Sequence, residues 1–306
     1  MSHAAGASSS RPQAFLNKGG GSADDAKKAL DEAGLEVEEV PPDQLKSRLE
    51  RAIADGARRL IVAGGDGTIG TAAALVAKKD IELAILPAGT LNHFAKDHGI
   101  PTDLPEAAEV ALNGTVEGAD LGYMKDSVFL NTSSIGAYVT FVRVRERFEK
   151  TFGYRIASFI ALLRMFSTLR TFSVELEVDG ATKSYRTPLV FIGVGERELK
   201  LPELGSRVAN GKRSLHVMVI QGRKPARLFA VALAGIASGI SKAKQLPEFD
   251  SFLVDRVIVD LTRPGATIAL DGELKAHASP LEYRIERDAI RLVVPQSKQD
   301  EAARAG

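Results

Sequence analysis

The sequence predicts two domains: an N-terminal α/β domain of three layers, and a C-terminal, largely antiparallel β-sandwich-like domain with helices. Up to about residue 118, short apolar segments alternate with helix-forming segments, an order typical of a parallel sheet covered on both faces. Beyond Gly118, strand-like segments separated by Gly, Asp and Pro replace that alternation. A chain of 306 residues, 44% of them hydrophobic, suits two ordinary domains.

The N-terminal elements follow from apolar periodicity and from residues that start or stop a helix. Strands are predicted at 13–16, 35–40, 59–63 and 82–86, and helices at 23–33, at 44–54 and after Thr68. Ser22 and Gly34 are expected to cap and to end the first helix. Because the strands alternate with helices, their carboxyl ends are expected to form one ligand-binding edge.

The C-terminal elements are predicted from strand-like composition bounded by turn residues. The expected strands are 121–131, 173–179, 183–194, 214–220, 256–261, 267–270 and 281–294. The expected helices are 141–169, which mixes basic and aromatic residues, and 227–242, which is rich in Ala and Gly.

The predicted boundaries follow the same changes in composition. They are a disordered leader at 1–11, the α/β domain at 12–118, the β-rich domain at 119–288 and a frayed tail at 296–306. A final strand at about 289–295 is expected to return to the first domain.

Charge and composition exclude several classes of function. With 40 Lys and Arg against 39 Asp and Glu, the chain has no overall positive field to recruit nucleic acid. The absence of cysteine excludes disulfides, thiolate metal sites and a cysteine nucleophile. No apolar segment reaches the roughly 20 residues that span a bilayer. We therefore expect a cytoplasmic protein, with peripheral membrane contact and a homodimer as open alternatives.

The most informative segment is a glycine-rich turn at the junction of a strand and a helix. After the apolar run 60–63, Gly64, Gly65 and Gly67 leave room for an anion near the backbone N–H groups, and Thr68 opens a helix whose positive end favours phosphate. Asp66 would repel phosphate unless a cation came too, so the turn indicates a nucleotide bridged to Asp66 by Mg²⁺. The alternative is a tight turn in which Asp66 merely caps the helix.

A second turn of this kind follows the next strand, in Leu86-Pro-Ala-Gly-Thr-Leu-Asn-His-Phe-Ala95. Gly89 permits a close turn, while Thr90 and Asn92 place a hydroxyl and an amide at the start of a helix, suited to phosphate oxygens or an adenine edge. Alone the segment is a capping turn. Beside the first turn it completes half of a nucleotide cleft.

Two carboxylates occur close together near the end of the chain, in Leu270-Asp-Gly-Glu-Leu274. Asp271 and Glu273 are two residues apart, so on an extended strand they would face the same side. The alternative is an Asp-Gly hairpin turn followed by an exposed Glu273.

With these segments in place, the chain resembles the diacylglycerol kinase catalytic-domain superfamily, which includes bacterial soluble lipid kinases and sphingosine kinases. The resemblance rests on four motifs that span almost the whole chain: Gly64-Gly-Asp-Gly-Thr68, Pro87-Ala-Gly-Thr-Leu-Asn-His-Phe-Ala95, Phe129-Leu-Asn-Thr-Ser-Ser-Ile-Gly136 and Asp271-Gly-Glu273. It implies an N-terminal nucleotide domain like that of NAD kinases and diacylglycerol kinases, a C-terminal lipid-substrate domain, and a lipid kinase that uses ATP and Mg²⁺.

The resemblance also implies roles for individual residues. Asp66 and its glycines would hold the ATP phosphates and Mg²⁺, and Glu273 would accept the proton of the lipid hydroxyl, with Asp271 helping to place metal or substrate. The nucleotide contacts would come from Asn17, Gly64, Gly65, Gly67, Thr68, Gly89, Thr90 and Asn92. Phosphoryl transfer needs mainly charge neutralisation and positioning, so a carboxylate is a sufficient proton acceptor.

Three segments depart from the family pattern. The first loop, Asn17-Lys-Gly-Gly-Gly21, keeps the Asn but lacks the usual Pro and Ser, and Val40-Pro-Pro42 offers no hydroxyl to a nucleotide. The segment 207–215 contains no acid, whereas bacterial members often have an Asp there that helps to bind a structural Mg²⁺. We therefore expect this structural Mg²⁺ site to be absent, with Lys212 or Arg213 supplying positive charge.

Three functions remain open from the sequence. The first is an ATP-dependent kinase for diacylglycerol or a related lipid, such as a sphingoid base. The second is a nucleotide-binding regulator without turnover, although the presence of Asp66, Asp271 and Glu273 argues against it. The third is an NAD kinase-like enzyme, for which no second Gly-Ser-Thr nucleotide segment is found. The identity and chain length of the lipid are not encoded in any local motif.

Overall fold

The computed structural model describes residues 13–19, 21–178, 180–199, 204–221 and 249–296. The predicted leader, the predicted helix 227–242 and all of the predicted tail except Gln296 lie outside these residues. The chain divides into two units, each described by itself below. Unit 1 comprises residues 1–119 and 288–306, and unit 2 comprises residues 120–287.

Unit 1 alternates strands and helices along the sequence. Its elements are β1 (Gln13–Asn17), α1 (Ala23–Glu32), β2 (Val37–Val40), α2 (Leu45–Ala54), β3 (Arg59–Gly64), α3 (Asp66–Val76), β4 (Glu82–Pro87), α4 (His93–Asp97) and α5 (Leu104–Asn113). The strands pair in parallel in the order β2-β1-β3-β4. The apolar run of β3 is fully buried, as expected for a central strand covered on both faces.

Unit 2 consists mainly of antiparallel strands. The remaining elements of the chain are β5 (Thr115–Met124), which begins in unit 1, β6 (Ser127–Phe129), β7 (Thr132–Gly136), α6 (Ala137–Ser167), β8 (Phe172–Val178), β9 (Ala181–Thr187), β10 (Leu189–Val194), β11 (Arg197–Leu199), β12 (Leu204–Arg207), β13 (Leu215–Ile220), β14 (Phe249–Val254), β15 (Arg256–Leu261), β16 (Gly265–Leu270), β17 (Glu273–Ala278) and β18 (Leu281–Val294).

Two antiparallel layers enclose the core of unit 2. One is the six-stranded sheet β14-β13-β10-β7-β16-β17, and the other contains β18, β15, β8 and β9 in that order. A single cluster of buried side chains draws on both layers and includes Val217, Ile268, Val257 and the fully buried Tyr283. Unit 2 is therefore a β-sandwich-like domain, and the predicted fold class is confirmed.

The last strand belongs to both units. Its first half pairs antiparallel with β15, and Arg291 and Leu292 pair in parallel with Glu82 and Leu83 of β4. Buried and exposed residues alternate along the first half of β18, whereas most residues of its second half are buried. A strand in a two-layer sandwich buries one face, but a strand in a parallel sheet covered by helices buries both.

Some elements differ from the sequence prediction. The predicted strand 121–131 is two strands, because Lys125 adopts a left-handed conformation (φ 51°) between β5 and β6. The predicted helix 141–169 begins earlier, at Ala137, and is kinked where Gly153 has φ 72° and ψ 166°. Helix α5 and strands β7, β11, β12, β14 and β17 were not predicted. Among the described residues, no helix is long and apolar enough to cross a membrane.

Candidate functional site

The first part of the candidate site is the turn from β3 to α3 in unit 1. Gly65 lies at the N-cap in an extended conformation, and no side chain caps the first turn of α3. The first N–H groups of a helix have no partner within the helix, so those of α3 are available to an anion. Gly67 is exposed at this turn. The backbone here therefore suits a phosphate group.

The two glycine-rich turns touch each other through their glycines. A Cβ atom placed on Gly89 would lie 2.5 Å from the Cα atom of Gly65, and one on Gly64 would lie 2.5 Å from Cγ2 of Thr68. Because real Cβ atoms do not approach other carbons this closely, larger residues at these positions would force the turns apart. The sequence prediction placed both turns at one sheet edge, and in unit 1 they are in direct contact.

Asp66 links the two turns. Its Oδ2 accepts a hydrogen bond from the backbone N–H of His93 (3.2 Å), and its Oδ1 accepts one from the N–H of Phe94 (3.1 Å). Asp66 therefore caps α4, the helix of the second turn, rather than α3 as the alternative interpretation of the sequence proposed. Each carboxylate oxygen can accept a further bond, so this capping leaves room for a cation.

Asn17 and Thr68 form a hydrogen-bonded pair beside the first turn. The Nδ2 atom of Asn17 donates to Oγ1 of Thr68 (2.7 Å), and Oδ1 of Asn17 accepts from the N–H of Gly19 (3.0 Å). Since Asn17 already uses its oxygen, its side chain serves mainly to orient Thr68. Thr68 is buried, and its hydroxyl hydrogen remains available for a bond to an oxygen of a ligand.

Asn92 shapes the second turn with its own side chain. It adopts a left-handed conformation (φ 52°), accepts from the N–H of Gly89 (3.0 Å), and donates to the carbonyls of Pro87 (2.9 Å) and Gly89 (2.8 Å). The amide is therefore fully occupied within the turn. Thr90, by contrast, is exposed, so its hydroxyl is the group that this turn offers to a ligand.

A second candidate region, described by itself, is the β16–β17 hairpin in unit 2. Asp271 and Gly272 form its two-residue turn, with φ values of 47° and 86°, and Leu270 pairs with Glu273 across it. Positive φ at both turn residues is typical of a type I′ hairpin, which favours Asp-Gly. The expectation that Asp271 and Glu273 share one face of an extended strand was wrong, because Asp271 lies in the turn rather than on the strand.

Asp271 uses its carboxylate to hold a loop of its own unit. It accepts hydrogen bonds from the backbone N–H groups of Leu130 (2.6 Å), Asn131 (2.8 Å) and Thr132 (2.9 Å). Its own N–H donates to the carbonyl of Thr132 (2.8 Å). Asp271 is thus a positioning residue for the segment between β6 and β7.

Glu273 and Asn131 are the polar groups beside that turn. Glu273 is exposed, and its Oε2 lies 3.1 Å from Nζ of Lys275, which projects from the same face of β17. Asn131 is buried, yet within the described part of the chain its Oδ1 has no hydrogen-bond partner. A buried acceptor without a partner is costly, so Oδ1 of Asn131 is prepared for a donor or a cation. Sequence reasoning quoted its motif but assigned this residue no role.

The segment 207–215, which has no acid of its own, meets a carboxylate from β5. Asp120 is fully buried, and Nη2 of Arg207 donates to it (2.9 Å). Arg213 donates from Nε to both of its oxygens (3.1 and 3.0 Å) and from Nη2 to Oδ1. Arg213 supplies positive charge here, as the sequence suggested, together with Arg207. Lys212 instead bonds to Glu196 through its backbone: its N–H donates to Oε2 (3.1 Å) and its carbonyl accepts from the N–H of Glu196 (3.0 Å). The sequence did contain a signal for this ion cluster, because Asp120 is an acid within the mainly apolar segment that ends at Met124.

The residues of the first part fit a nucleotide with Mg²⁺. Mg²⁺ keeps several waters and binds proteins through one or two carboxylates together with substrate phosphates. Asp66, next to the uncapped N-terminus of α3, provides such a carboxylate. Among the described residues, no three His, Asp or Glu side chains are grouped so as to hold a metal without the nucleotide.

Comparisons with known proteins agree with this architecture. Residues 12–124 match the family model of the diacylglycerol kinase catalytic domain. A diacylglycerol kinase of Mycobacterium tuberculosis (strain ATCC 25618 / H37Rv) is 31% identical over 159 residues, which cover 49% of this chain and 52% of that protein. A Pseudomonas putida protein named "Probable lipid kinase YegS-like" is 37% identical over 148 residues, which cover 47% of this chain and 48% of that protein. The chain therefore spans about half the length of these curated relatives.

The solved structures extend the likeness to almost the whole chain. A diacylglycerol kinase from Bacillus anthracis str. Sterne superposes with a TM-score of 0.67 at 17% identity, covering 93% of this chain and 96% of that one. A second crystal structure from the same strain gives a TM-score of 0.71 at 19% identity, with the same coverage. At these identities the likeness shows the fold.

Fold and matches together define the class of protein: an α/β unit that matches the diacylglycerol kinase catalytic domain over residues 12–124, and a unit of mainly antiparallel strands. The match confirms the resemblance to the diacylglycerol kinase catalytic-domain superfamily that the sequence indicated.

Proposed function

We propose that this protein is an ATP-dependent lipid kinase that transfers the γ-phosphate to a hydroxyl group of diacylglycerol or a related lipid, a sphingoid base being the second acceptor class. The observation that carries the proposal is the contact between the two glycine-rich turns of unit 1. It combines the uncapped N-terminus of α3, the carboxylate of Asp66 and the hydroxyls of Thr68 and Thr90 around a space suited to phosphates. Names of relatives support a lipid acceptor.

In this proposal, unit 1 binds and orients the nucleotide. The first N–H groups of α3 and the hydroxyls of Thr68 and Thr90 donate hydrogen bonds to phosphate oxygens. Asp66 holds Mg²⁺, which supplies neutralisation of phosphate charge when bound. Asn17 keeps the hydroxyl of Thr68 oriented, and Asn92 keeps the second turn closed.

Glu273 is proposed as the proton acceptor of unit 2. As the lipid oxygen bonds to the γ-phosphorus and the bond from that phosphorus to the β–γ bridging oxygen breaks, the carboxylate takes the hydroxyl proton. ADP leaves with the bridging oxygen. Asp271 acts indirectly, as a positioning residue, because its carboxylate holds the segment that carries Asn131.

A nucleotide-binding regulator is the second candidate function. The observation that favours it is that both carboxylates of the hairpin already have partners, three backbone N–H groups for Asp271 and Lys275 for Glu273. A regulator would bind ATP and show no phosphoryl transfer.

The test is transfer of labelled γ-phosphate from ATP with Mg²⁺ to detergent-dispersed diacylglycerols, monoacylglycerols and sphingoid bases. We expect Glu273→Gln to lower kcat by about 10²- to 10⁴-fold, the usual contribution of a general base, with ATP affinity unchanged. Glu282→Gln is the matched control, because Glu282 is also an exposed strand residue of unit 2 with a cationic partner, Arg256 (3.2 Å).

The outcomes separate the two candidates. Product that requires Glu273 and not Glu282 supports the kinase and names its acceptor class. ATP binding without product from any acceptor would favour the regulator.

We also propose that this kinase contacts membranes peripherally through α6. All five large hydrophobic side chains that are exposed in the described part of the chain lie on this helix: Phe152, Ile156, Phe159, Leu162 and Leu163. From Lys150 to Val174 the chain has four cationic residues and no acid. An apolar stripe bordered by Arg and Lys is typical of a helix that lies in the interface of an anionic membrane.

A further inference from the structure

Unit 2 contains a cavity that the proposed kinase reaction does not use. Its volume is about 510 Å³, within the usual range for small-ligand sites. Both ends of α6 line it, through Ala137 and Thr140 at the start and Met165 and Thr168 at the end. The rest of its wall comes from the segment leading into β8, from β9 and from the loop after β15.

Three arginines line this cavity: Arg170, Arg186 and Arg263. They come from three different segments, and no Asp or Glu is among the described residues that line the wall with them. Within the described part of the chain, none of the three has a carboxylate partner. The guanidinium of Arg263 stacks over the ring of Phe172, with Cζ 5.9 Å from the ring centroid.

The absence of a counter-charge among these residues is the informative feature. Like charges brought together repel one another, and a surface arginine normally gains little that would offset this. A polyvalent anion would relieve the repulsion and bond to several guanidinium groups at once, since their planar forks match phosphate oxygens.

Neighbouring groups suit the same ligand. Thr140, Thr171, Ser173 and Thr262 also line the cavity and carry hydroxyls that can donate, whereas Thr168 donates its hydroxyl to the carbonyl of Arg164 (2.7 Å). Ser173 is the cross-strand partner of Arg186, so these two donors stand side by side.

We propose that this cavity binds a phosphate group, carried either by a phospholipid headgroup or by a soluble phosphate. It is a site separate from the nucleotide turns of unit 1, and the proposal does not depend on kinase activity. The last exposed apolar residue of α6, Leu163, precedes Met165 by two residues and Thr168 by five, so a headgroup in the cavity would belong to a lipid beside that stripe.

Methionine NMR gives a readout confined to the cavity. The chain has four methionines, of which Met165 lines the cavity, while Met124 and Met218 are buried elsewhere in unit 2. With ¹³C-methyl methionine, inorganic phosphate should shift the Met165 signal in a saturable manner and leave Met124 and Met218 unchanged. Phosphate bound at the turns of unit 1 is distinguished by the variants below, because Arg186 and Arg263 line the cavity of unit 2.

The variants test the arginines. Arg186→Gln combined with Arg263→Gln should weaken the phosphate-dependent shift by about tenfold or more, since each charge-assisted bond contributes about that factor. Arg58→Gln is the matched control, because Arg58 is an exposed arginine of unit 1. Unchanged Met124 and Met218 signals report that each variant is folded.

A second arm separates the two sources of phosphate. Titration with vesicles containing phosphatidic acid, against vesicles of phosphatidylcholine alone, should perturb Met165 only if the headgroup is lipid-borne. A loss of response in the double variant in either arm supports the site and names its source. An equal response of the double variant and of Arg58→Gln in both arms would overturn the proposal.

Discussion

At the scale of single residues, Asp66 and Asp271 stabilise the structure around them in addition to their proposed chemical roles. Asp66 holds two N–H groups of α4, and Asp271 holds three N–H groups ahead of β7. Both residues are thus oriented by hydrogen bonds from the backbone, so a substitution at either one changes geometry as well as charge.

Asp66→Asn should separate capping from ligand binding. The amide oxygen can still accept one N–H of α4, so we expect a loss of about 1 kcal/mol in the free energy of unfolding. Phosphoryl transfer should fall on the order of 10²-fold or more, because the negative charge that holds Mg²⁺ is lost. Urea unfolding and a γ-phosphate transfer assay measure the two effects.

Asp103→Asn provides the control for this prediction. Asp103 caps α5 by accepting from the N–H of Glu106 (3.1 Å), and it has no proposed ligand. Asn is about as good an N-cap residue as Asp, so Asp103→Asn should lose no more stability than Asp66→Asn and should keep its activity. Near-normal transfer by Asp66→Asn would leave Asp66 with the capping role alone.

At the scale of elements, the carboxylates of Asp120 and Asp250 form ion pairs and hydrogen bonds that join segments far apart in the sequence. Asp120 of β5 meets Arg207 and Arg213, which lie 87 and 93 residues further along the chain. Asp250 of β14 accepts from Lys183 (2.5 Å) and Tyr185 (2.8 Å) of β9, which joins the two layers of unit 2. These contacts fix strand positions that hydrophobic packing alone determines less strictly.

Arg213→Gln should destabilise unit 2, because it leaves the fully buried carboxylate of Asp120 with much of its compensation removed. Breaking a buried ion pair costs about 3 to 5 kcal/mol, and the remaining bond from Arg207 places the expected loss near the lower end. Urea unfolding measures it, with Arg256→Gln as a surface-pair control expected within about 1 kcal/mol of the original chain.

The same experiment tests whether a metal contributes. If the arginines alone neutralise Asp120, a chelator leaves the unfolding midpoint of the unmodified chain unchanged. A midpoint that falls on chelation and is restored by Mg²⁺ would contradict this interpretation.

Asp250 should make stability depend on pH in the acid range. Burial alone raises the pKa of Asp250, but the hydrogen bonds from Lys183 and Tyr185 outweigh it, so the pKa lies below its ordinary value of 3.8. A lowered folded-state pKa stabilises the protein above the unfolded-state pKa, and this contribution is lost as the pH falls through the folded-state value. Burial, together with the hydrogen bond to Asp250, raises the pKa of Tyr185 to about 12.

The expected effect of substituting Asp250 on stability follows from this lowered pKa. Asp250→Asn should unfold at lower urea than the unmodified chain at pH 7, by about 0.5 to 1 kcal/mol since Lys183 is largely exposed. The difference should shrink as the pH falls below 3.8 and through the lowered folded-state pKa of Asp250. Asp126→Asn, an exposed acid of unit 2, serves as the control with little effect over this pH range. A difference that persists unchanged at pH 3 would exclude the ionised carboxylate as its cause.

At the scale of the whole molecule, nearly balanced charge is combined with a local concentration of exposed apolar and cationic groups on α6. The net charge is only +1, so no overall field attracts the chain to an anionic surface. Membrane contact has to come from the helix itself. Arg145, included among the basic residues of the sequence prediction, is only 13% exposed in its side chain and pairs with Glu149 (3.4 Å), so it is not part of that surface.

Phe159→Ser with Leu163→Ser should therefore reduce binding to phosphatidylglycerol vesicles by about tenfold or more, because each large apolar side chain contributes about 1.5 to 3 kcal/mol when buried. Phe159→Leu keeps an apolar side chain and should bind like the unmodified chain. Vesicle sedimentation measures binding, and transfer to detergent-dispersed substrate should be retained. Equal sedimentation of the Ser and Leu variants would exclude this helix face as the contact.

Local patterns in the sequence determined much of this protein. Apolar runs such as 60–63 predicted the parallel strands, and the two glycine-rich turns were predicted at strand ends, because strand, turn and helix preferences act over a few residues. Helix α5 was overlooked, although Asp103, Pro105 and Glu106 are typical of a helix start. The Asp-Gly pair at 271–272 likewise favours a hairpin turn from local preference alone.

Only the tertiary structure decided which segments bind the side chains of Asp66, Asp271 and Asp120. Asp66 caps α4, about 27 residues away, rather than its own helix, and Asp271 holds a loop about 140 residues away. Asp120 finds its arginines, and three arginines gather around one cavity, only once the strands are in place. The physical reason is that helix and turn preferences are local in sequence, whereas these pairings depend on strand order and register, which distant hydrophobic contacts fix together.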